Sequence, residues 1–282
     1  MEICRQLAVQ GKPLRAMVRA TTDPAEAEQL KALGAEIVHG TLHDPASLVK
    51  ACGGVTTVIC TVSACPNTYQ PPDNTIQNVD VEGVRVLIHA AKAAGVKHFI
   101  YTSFSGNINA EFPLERAKRT VEGQLKASGL TYTILRPSYF MESWLTPMVG
   151  FDPANATAAI YGTGQNSISW ISLRDVAQFA VASVDSPAAR NATLEMGGPE
   201  ALPPLEVVRI FEKVGGKPFT VQHVPEEALA AQMAEATDDL AKSFPGLMLG
   251  YAHGDAIDMR QTLKAFPLKL TTVEEYARRV LG

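Results

Sequence analysis

Apolar and polar positions follow two rhythms along this chain. Residues 14–19 (LRAMVR), 35–39 (AEIVH), 55–61 (VTTVICT), 96–103 (VKHFIYTS) and 131–136 (TYTILR) are short apolar runs of the kind that form strands. The run over 55–61 is continuously apolar, as suits a strand covered on both faces. Helical spacing fills the intervals. Asp23, Pro24 and Glu26 open one helix with a cap, a first-position proline and a box-like acid, and Gly34 closes it. Asp44-Pro45 opens another that ends near Gly53-Gly54. Residues 76–94 predict a long helix with Val79, Val84, Leu87, Ile88 and Ala91 apolar and Gly95 as its stop. Residues 114–128 predict a further helix, stopped by Gly129. Strands alternating with helices through short turns imply a parallel sheet with right-handed crossovers, so the expected fold class is α/β, doubly wound.

After Pro137 the rhythm loosens. Residues 168–171, 193–196 and 219–224 read as short strands, and 172–183, 205–214 and 226–236 as helices. Thr272 and Glu275 form a capping box for a last helix. The expected division is a core over 1–137 and a smaller α+β lobe over 138–282 with segments returning to the core.

The chain opens with helical spacing at Ile3, Cys4, Leu7 and Ala8, closed by Gly11 and preceded by no capping residue. A strand ordinarily precedes such a helix. In a sheet of order 3-2-1-4-5-6 that strand is central, and each buried backbone group it leaves unpaired costs about 1–3 kcal/mol. The expectation is therefore that the first strand is missing. Three arrangements could follow: a chain that starts further upstream, a closed sheet pairing 14–19 directly with 55–61, or a strand donated by a partner chain.

Composition narrows the possibilities without choosing a function. The 282 residues are 46 % apolar and 19 % charged, with a net charge of −4. No cluster of Lys and Arg suggests nucleic acid or an anionic membrane. No apolar run reaches the roughly 18 residues of a membrane span. The first residues, MEICRQLAVQ, lack a secretion pattern, so a cytoplasmic location is expected. Cys4, Cys52, Cys60 and Cys65 share no metal-binding spacing, and the six histidines are scattered. No metal is expected.

The stretches KPLRAMVRA, GTLHDPASL, VDVEGVRVLIHAAKAAGVKHFIYTSFSG, ERAKRTVEGQLKASGLTYTILRP and ISLRDVA occur in an order that resembles the NmrA-like family of atypical short-chain dehydrogenase/reductases. The resemblance is strongest over 12–184. It implies an NAD(P)-binding, Rossmann-like core and a small substrate lobe. The sequence departs from the family pattern at three places. The GxxGxxG phosphate loop, expected before Met1, is absent. Thr41 follows Gly40 where the family usually has Asp at the adenine end. Leu114 stands four residues before Lys118, where catalytic members of the wider superfamily carry a Tyr.

Candidate site residues follow. Arg19 ends the strand over 14–19 with no acid at 18–20, which suits the 2′-phosphate of NADP; otherwise it is a solvated charge. Lys118 falls in the stripe of Leu114, Val121 and Leu125, either snorkelling or, as the resemblance implies, anchoring the nicotinamide ribose as the catalytic lysine. Thr61, Val62 and Ser63, then Thr102 and Ser103, then Pro137, Ser138 and Tyr139 leave three strands at their carboxyl ends, where ligands bind in such sheets. With Thr41 they complete the expected cofactor-binding set. Gly162-Thr163-Gly164 imitates a phosphate loop but opens no long helix, so a turn is expected. The resemblance implies an NADPH-dependent reductase, with NADPH preferred over NADH, acting on a small-molecule carbonyl, enone or quinone. The alternatives are a non-enzymatic NAD(P)-sensing protein with a protein partner, or a truncated form that binds no cofactor.

Overall fold

The computed structural model describes residues 1–65 and 68–282. In chain order the first elements are α1 (Glu2–Val9), β1 (Arg15–Val18), α2 (Pro24–Ala32), β2 (Glu36–His39), α3 (Pro45–Cys52) and β3 (Thr57–Cys60). A π-helix (Ile76–Gly83) runs directly into α4 (Val84–Ala93), followed by β4 (His98–Thr102), α5 (Pro113–Ala127) and β5 (Thr131–Pro137). Then come α6 (Met141–Trp144), β6 (Phe151–Asp152), β7 (Thr157–Tyr161), α7 (Leu173–Asp185), β8 (Ala192–Met196), α8 (Pro204–Gly215) and β9 (Thr220–Val224). Four helices close the chain: α9 (Glu226–Glu235), α10 (Asp239–His253), α11 (Arg260–Ala265) and α12 (Val273–Leu281).

The fold is α/β with parallel ladders. β1 pairs with β2 from Arg15–Glu36 to Val18–His39. β3, β4 and β5 pair in parallel, with β8 beyond β5, and a third sheet has the order β6-β7-β9. Two compact units emerge. The first comprises Met1–Ser103, Ala117–Leu135 and Ala177–Leu194; the second comprises Phe104–Arg116, Arg136–Val176 and Glu195–Gly282. In the first, Leu48, Val84, Ile88, Ala91, Phe99, Val121, Leu125 and Ile134 are almost fully buried in one cluster. A smaller cluster of Ala16, Val18, Leu30 and Ala35 underlies β1 and β2. Among the described residues, no helix is long and apolar enough to cross a membrane.

The caps anticipated from sequence are present. Asp23 accepts from Ala25 N, Asp44 from Ala46 N, and Thr272 and Glu275 close a reciprocal box at α12. Four expectations need correction. The first part of the helix over 76–94 is a π-helix, in which Gly83 lies so close to Leu42 that a Cβ would sit 2.8 Å from the leucine Cβ. Residues 168–171 make isolated bridges, Ile168 to Leu202 and Asp255 and Ile171 to Phe140, because each has a different neighbour and no ladder can propagate. β1 does not pair with β3: among the described residues the two belong to separate sheets, so the closed-sheet arrangement is excluded. β6, β7 and α10 were not anticipated. Gly162 and Gly164 both have positive φ, 68° and 70°, which identifies the 162–164 segment as a turn.

Candidate functional site

The chemistry of the first unit gathers where β3 and β4 end. α5 buries Leu114, Val121 and Leu125 on one face, and Lys118 lies in that stripe at 5 % exposure. Its Nζ donates to the carbonyl of Val62, 3.1 Å away, in the segment leaving β3. It also lies 3.1 Å from Asp80 Oδ1, an attraction of opposite charges rather than an aligned hydrogen bond. The ammonium stands 5.4 Å from the centre of the Tyr101 ring of β4. Asp80, on the π-helix, is fully buried, and its Oδ2 accepts from the backbone N of Ala64 at 2.9 Å. A lysine and an aspartate thus grip the same segment, one at a carbonyl and one at an amide.

Burial disfavours the Lys118 ammonium, yet the negative charge that Tyr101, Asp80 and Cys60 can carry outweighs it and leaves the pKa above the ordinary lysine value. Burial pushes the Cys60 thiol up to about 11 and raises the Tyr101 hydroxyl well above the usual phenol range. Both therefore stay protonated at neutral pH. Among the described residues the buried Tyr101 oxygen has no hydrogen-bond partner.

The other expected residues are spread around this centre. Thr61 is exposed; Ser63 is half-buried and its Oγ accepts from Cys65 N at 3.3 Å. Thr102 is half-buried and its Oγ1 has no partner among the described residues, and Ser103 is buried, its Oγ accepting from Arg119 Nη1 at 3.4 Å. Thr41 organises the turn before α3: its N donates to Ser47 Oγ at 3.1 Å. Arg19 is exposed just past β1, beside a cavity of about 260 Å³ also lined by Ala20, Thr22, Lys31 and His39. Lys31 is paired with Glu28, whereas Arg19 makes no ion pair among the described residues.

Pro137, Ser138 and Tyr139 are buried; the latter two lie in the second unit with Pro137. The Pro137 carbonyl accepts from Ser105 N at 2.9 Å, and Ser138 N donates to Met196 O at 2.8 Å. The Tyr139 hydroxyl donates to Leu247 O at 3.0 Å, and its ring meets Trp144 edge-on at 4.8 Å. That hydroxyl is committed to structure, and burial holds it protonated far above the ordinary phenol pKa.

The profile of the NmrA-like family matches residues 1–277. The chain belongs to that family. An NAD(P)H azoreductase of Xenophilus azovorans is 30 % identical over 245 residues, covering 84 % of this chain and 79 % of that protein. A photosystem II assembly factor of Trieres chinensis is also 30 % identical, over 79 % of this chain and 68 % of that protein. The NADPH-dependent quinone oxidoreductase of Escherichia coli, solved with NADPH, has a TM-score of 0.79 at 24 % identity, over 99 % of this chain and 95 % of that one. At that identity the likeness is one of fold. The comparisons do not bear out the expectation of a missing first strand: the family match begins at residue 1.

Within this NmrA-like chain, two buried carboxylates were not singled out from sequence. Asp80 sits in an apolar VDV run, where an isolated acid is itself the signal of a partner. Asp255, in the second unit, is 1 % exposed and accepts from Ser105 Oγ at 2.7 Å and Asn107 Nδ2 at 2.8 Å. Burial raises its pKa despite those donors. Asp255 falls in no periodic element, so no sequence pattern marks it. Among the described residues no group of His, Cys, Asp and Glu could hold a metal.

Proposed function

We propose that this chain is an NADPH-dependent reductase of a small carbonyl, enone or quinone compound. The observation that carries the reading is Lys118: a buried, charge-paired lysine at the carboxyl ends of β3 and β4 in an NmrA-like chain. Parallel α/β sheets bind ligands at that edge. Val62 O takes one of three N–H donors on the ammonium, which leaves capacity for a ribose hydroxyl.

The residues present fit a phosphorylated dinucleotide. Arg19 offers a planar guanidinium that has no ion pair among the described residues, just past β1, the strand end from which a 2′-phosphate is held in such sheets. When bound, the cofactor would supply the hydride from its nicotinamide. The chain would supply the rest: Arg19 would hold the phosphate, Lys118 would orient the nicotinamide ribose, and the segment 61–63 would border it. Because position 114 is an apolar leucine, α5 offers no hydroxyl proton donor one turn before Lys118. A quinone suits such a site, since its reduction does not require protonation within the hydride step.

Titration with NADPH and NADH side by side tests the cofactor. Micromolar NADPH with weaker NADH is expected, and Arg19→Ala should weaken NADPH about tenfold or more while sparing NADH. Equal affinities, unchanged in the variant, would count against the assignment. NADPH oxidation that yields no reduced product across a broad quinone and enone panel would sink the reductase reading.

Leu114 favours one second reading, a protein that senses the redox state of NAD(P) without catalysis. It requires different affinities for NADPH and NADP⁺, and a partner protein whose binding shifts with them.

A further inference from the structure

Lys118 is a cation taken out of water. Its side chain is 6 % exposed, and that of Asp80 is 0 %. Burial alone lowers a lysine by up to about 3–5 units, far enough to leave a neutral amine near pH 7–8. The groups facing Lys118 come from three elements: Cys60 of β3, Tyr101 of β4 and Asp80 of the π-helix. The thiol and the phenol are protonated at neutral pH, which leaves the Asp80 carboxylate as the balancing charge. On its own helix lie Glu115 and Arg116 in the turn before it and Arg119 and Glu122 in the turn after it, the latter two paired at 2.9 Å.

Asp80 has a second task in the same place. Its other oxygen accepts from Ala64 N, two residues beyond the Val62 carbonyl that Lys118 holds. Carboxylate and ammonium therefore fix both each other and the segment between them. We propose that Asp80 is the positioning residue for Lys118: its carboxylate keeps the lysine charged and aimed at the segment leaving β3, so that the lysine can donate to a hydroxyl of a bound dinucleotide. The inference rests on the cofactor reading above and adds to it the group that sets the state of the lysine.

Asp80→Asn is the informative variant. It keeps the shape and an oxygen for Ala64 N but removes the charge. In the cofactor-free chain, nitrogen NMR of the lysine Nζ should show Lys118 charged through pH 10 in the wild type. In Asp80→Asn the ammonium should titrate about three units lower or more. For a midpoint near pH ~8, roughly one tenth of the lysine stays charged at pH 9, so NADPH affinity should fall about tenfold between pH 6.5 and 9 relative to the wild type. A purely structural Asp80 would weaken binding equally at every pH. A lysine that titrates alike in both proteins, or NADPH affinity that keeps a constant ratio to wild type across pH, overturns the proposal.

Two further measurements cover the other outcomes. If Asp80→Asn does not fold, the wild type decides: loss of the Lys118 ammonium below pH 9 overturns the proposal, and its persistence, with Asp80→Asn/Lys118→Met folded, supports it. If the wild type binds no NADPH, the cofactor reading fails, while the Nζ titration still decides whether Asp80 holds the charge.

Discussion

Single side chains set the strictest limits in this molecule. Lys118→Met leaves Asp80 buried without a counter-charge and should cost about 3–5 kcal/mol in denaturant unfolding. Removing both charges, as in Asp80→Asn/Lys118→Met, should restore most of that, because two neutral groups of similar size need no compensation. If the double variant were as unstable as the single one, the pair would not be the source of the loss. Gly198 is a constraint of another sort: a Cβ there would lie 1.9 Å from the carbonyl oxygen of Trp170, a backbone atom that cannot swing away. Gly198→Ala should therefore destabilise by about 3 kcal/mol or more, read from the urea midpoint. An unchanged midpoint would mean the Trp170 backbone yields freely.

Elements carry the next level of control. The α12 box joins Thr272 Oγ1 to Glu275 N at 3.0 Å and Thr272 N to Glu275 Oε2 at 2.9 Å. Thr272→Ala should cost about 1 kcal/mol, and Glu275→Ala in the same background little more, since the two bonds form one unit. Additive losses in that double variant would contradict the coupling. This box was legible in the sequence because capping is local, and so were β1 to β5, whose apolar runs end in turn residues. Lys118 stood out for a related reason, as a charge inside an apolar stripe. Asp80, an acid in an apolar run, pointed to a partner but not to which one, because it lies on a π-helix that the spacing of Val79, Val84 and Leu87 does not reveal. α10 was hidden by Pro245, Gly246 and Gly250 within its span, residues that break helices unless tertiary packing holds them. Gly246 is required there by Phe112, whose ring a Cβ would meet at 2.5 Å. Close approaches between distant residues leave no periodic trace.

The stability of the whole molecule should depend on pH through His98. The ring is 1 % exposed, and Thr133 Oγ1, which donates to Ala189 O at 2.6 Å, must accept from His98 Nε2 at 2.7 Å. His98 Nδ1 is then buried without a partner among the described residues. Burial, with Arg190 adding, brings its pKa from 6.5 to about 4. Between those values the unfolded chain binds more protons, so stability is complete above pH ~6.5 and is lost as pH falls towards 4. The gap is worth about 3 kcal/mol. Buried Asp175 and Asp255, raised by desolvation, act with the opposite sign and partly mask it. The difference between wild type and His98→Gln should isolate the histidine, with a slope confined to pH 4–6.5; a flat difference would refute the assignment. The histidine belongs to a unit assembled from three separate stretches of chain, the last being Ala177–Leu194. Thr133 reaches into that last stretch for its acceptor. A gene cut once after residue 137 would thus yield a fragment lacking β8 and the Ala189 carbonyl, and so one that leaves Thr133 to find water. Recombination could exchange this core only by carrying a second, distant exon-sized piece along with it.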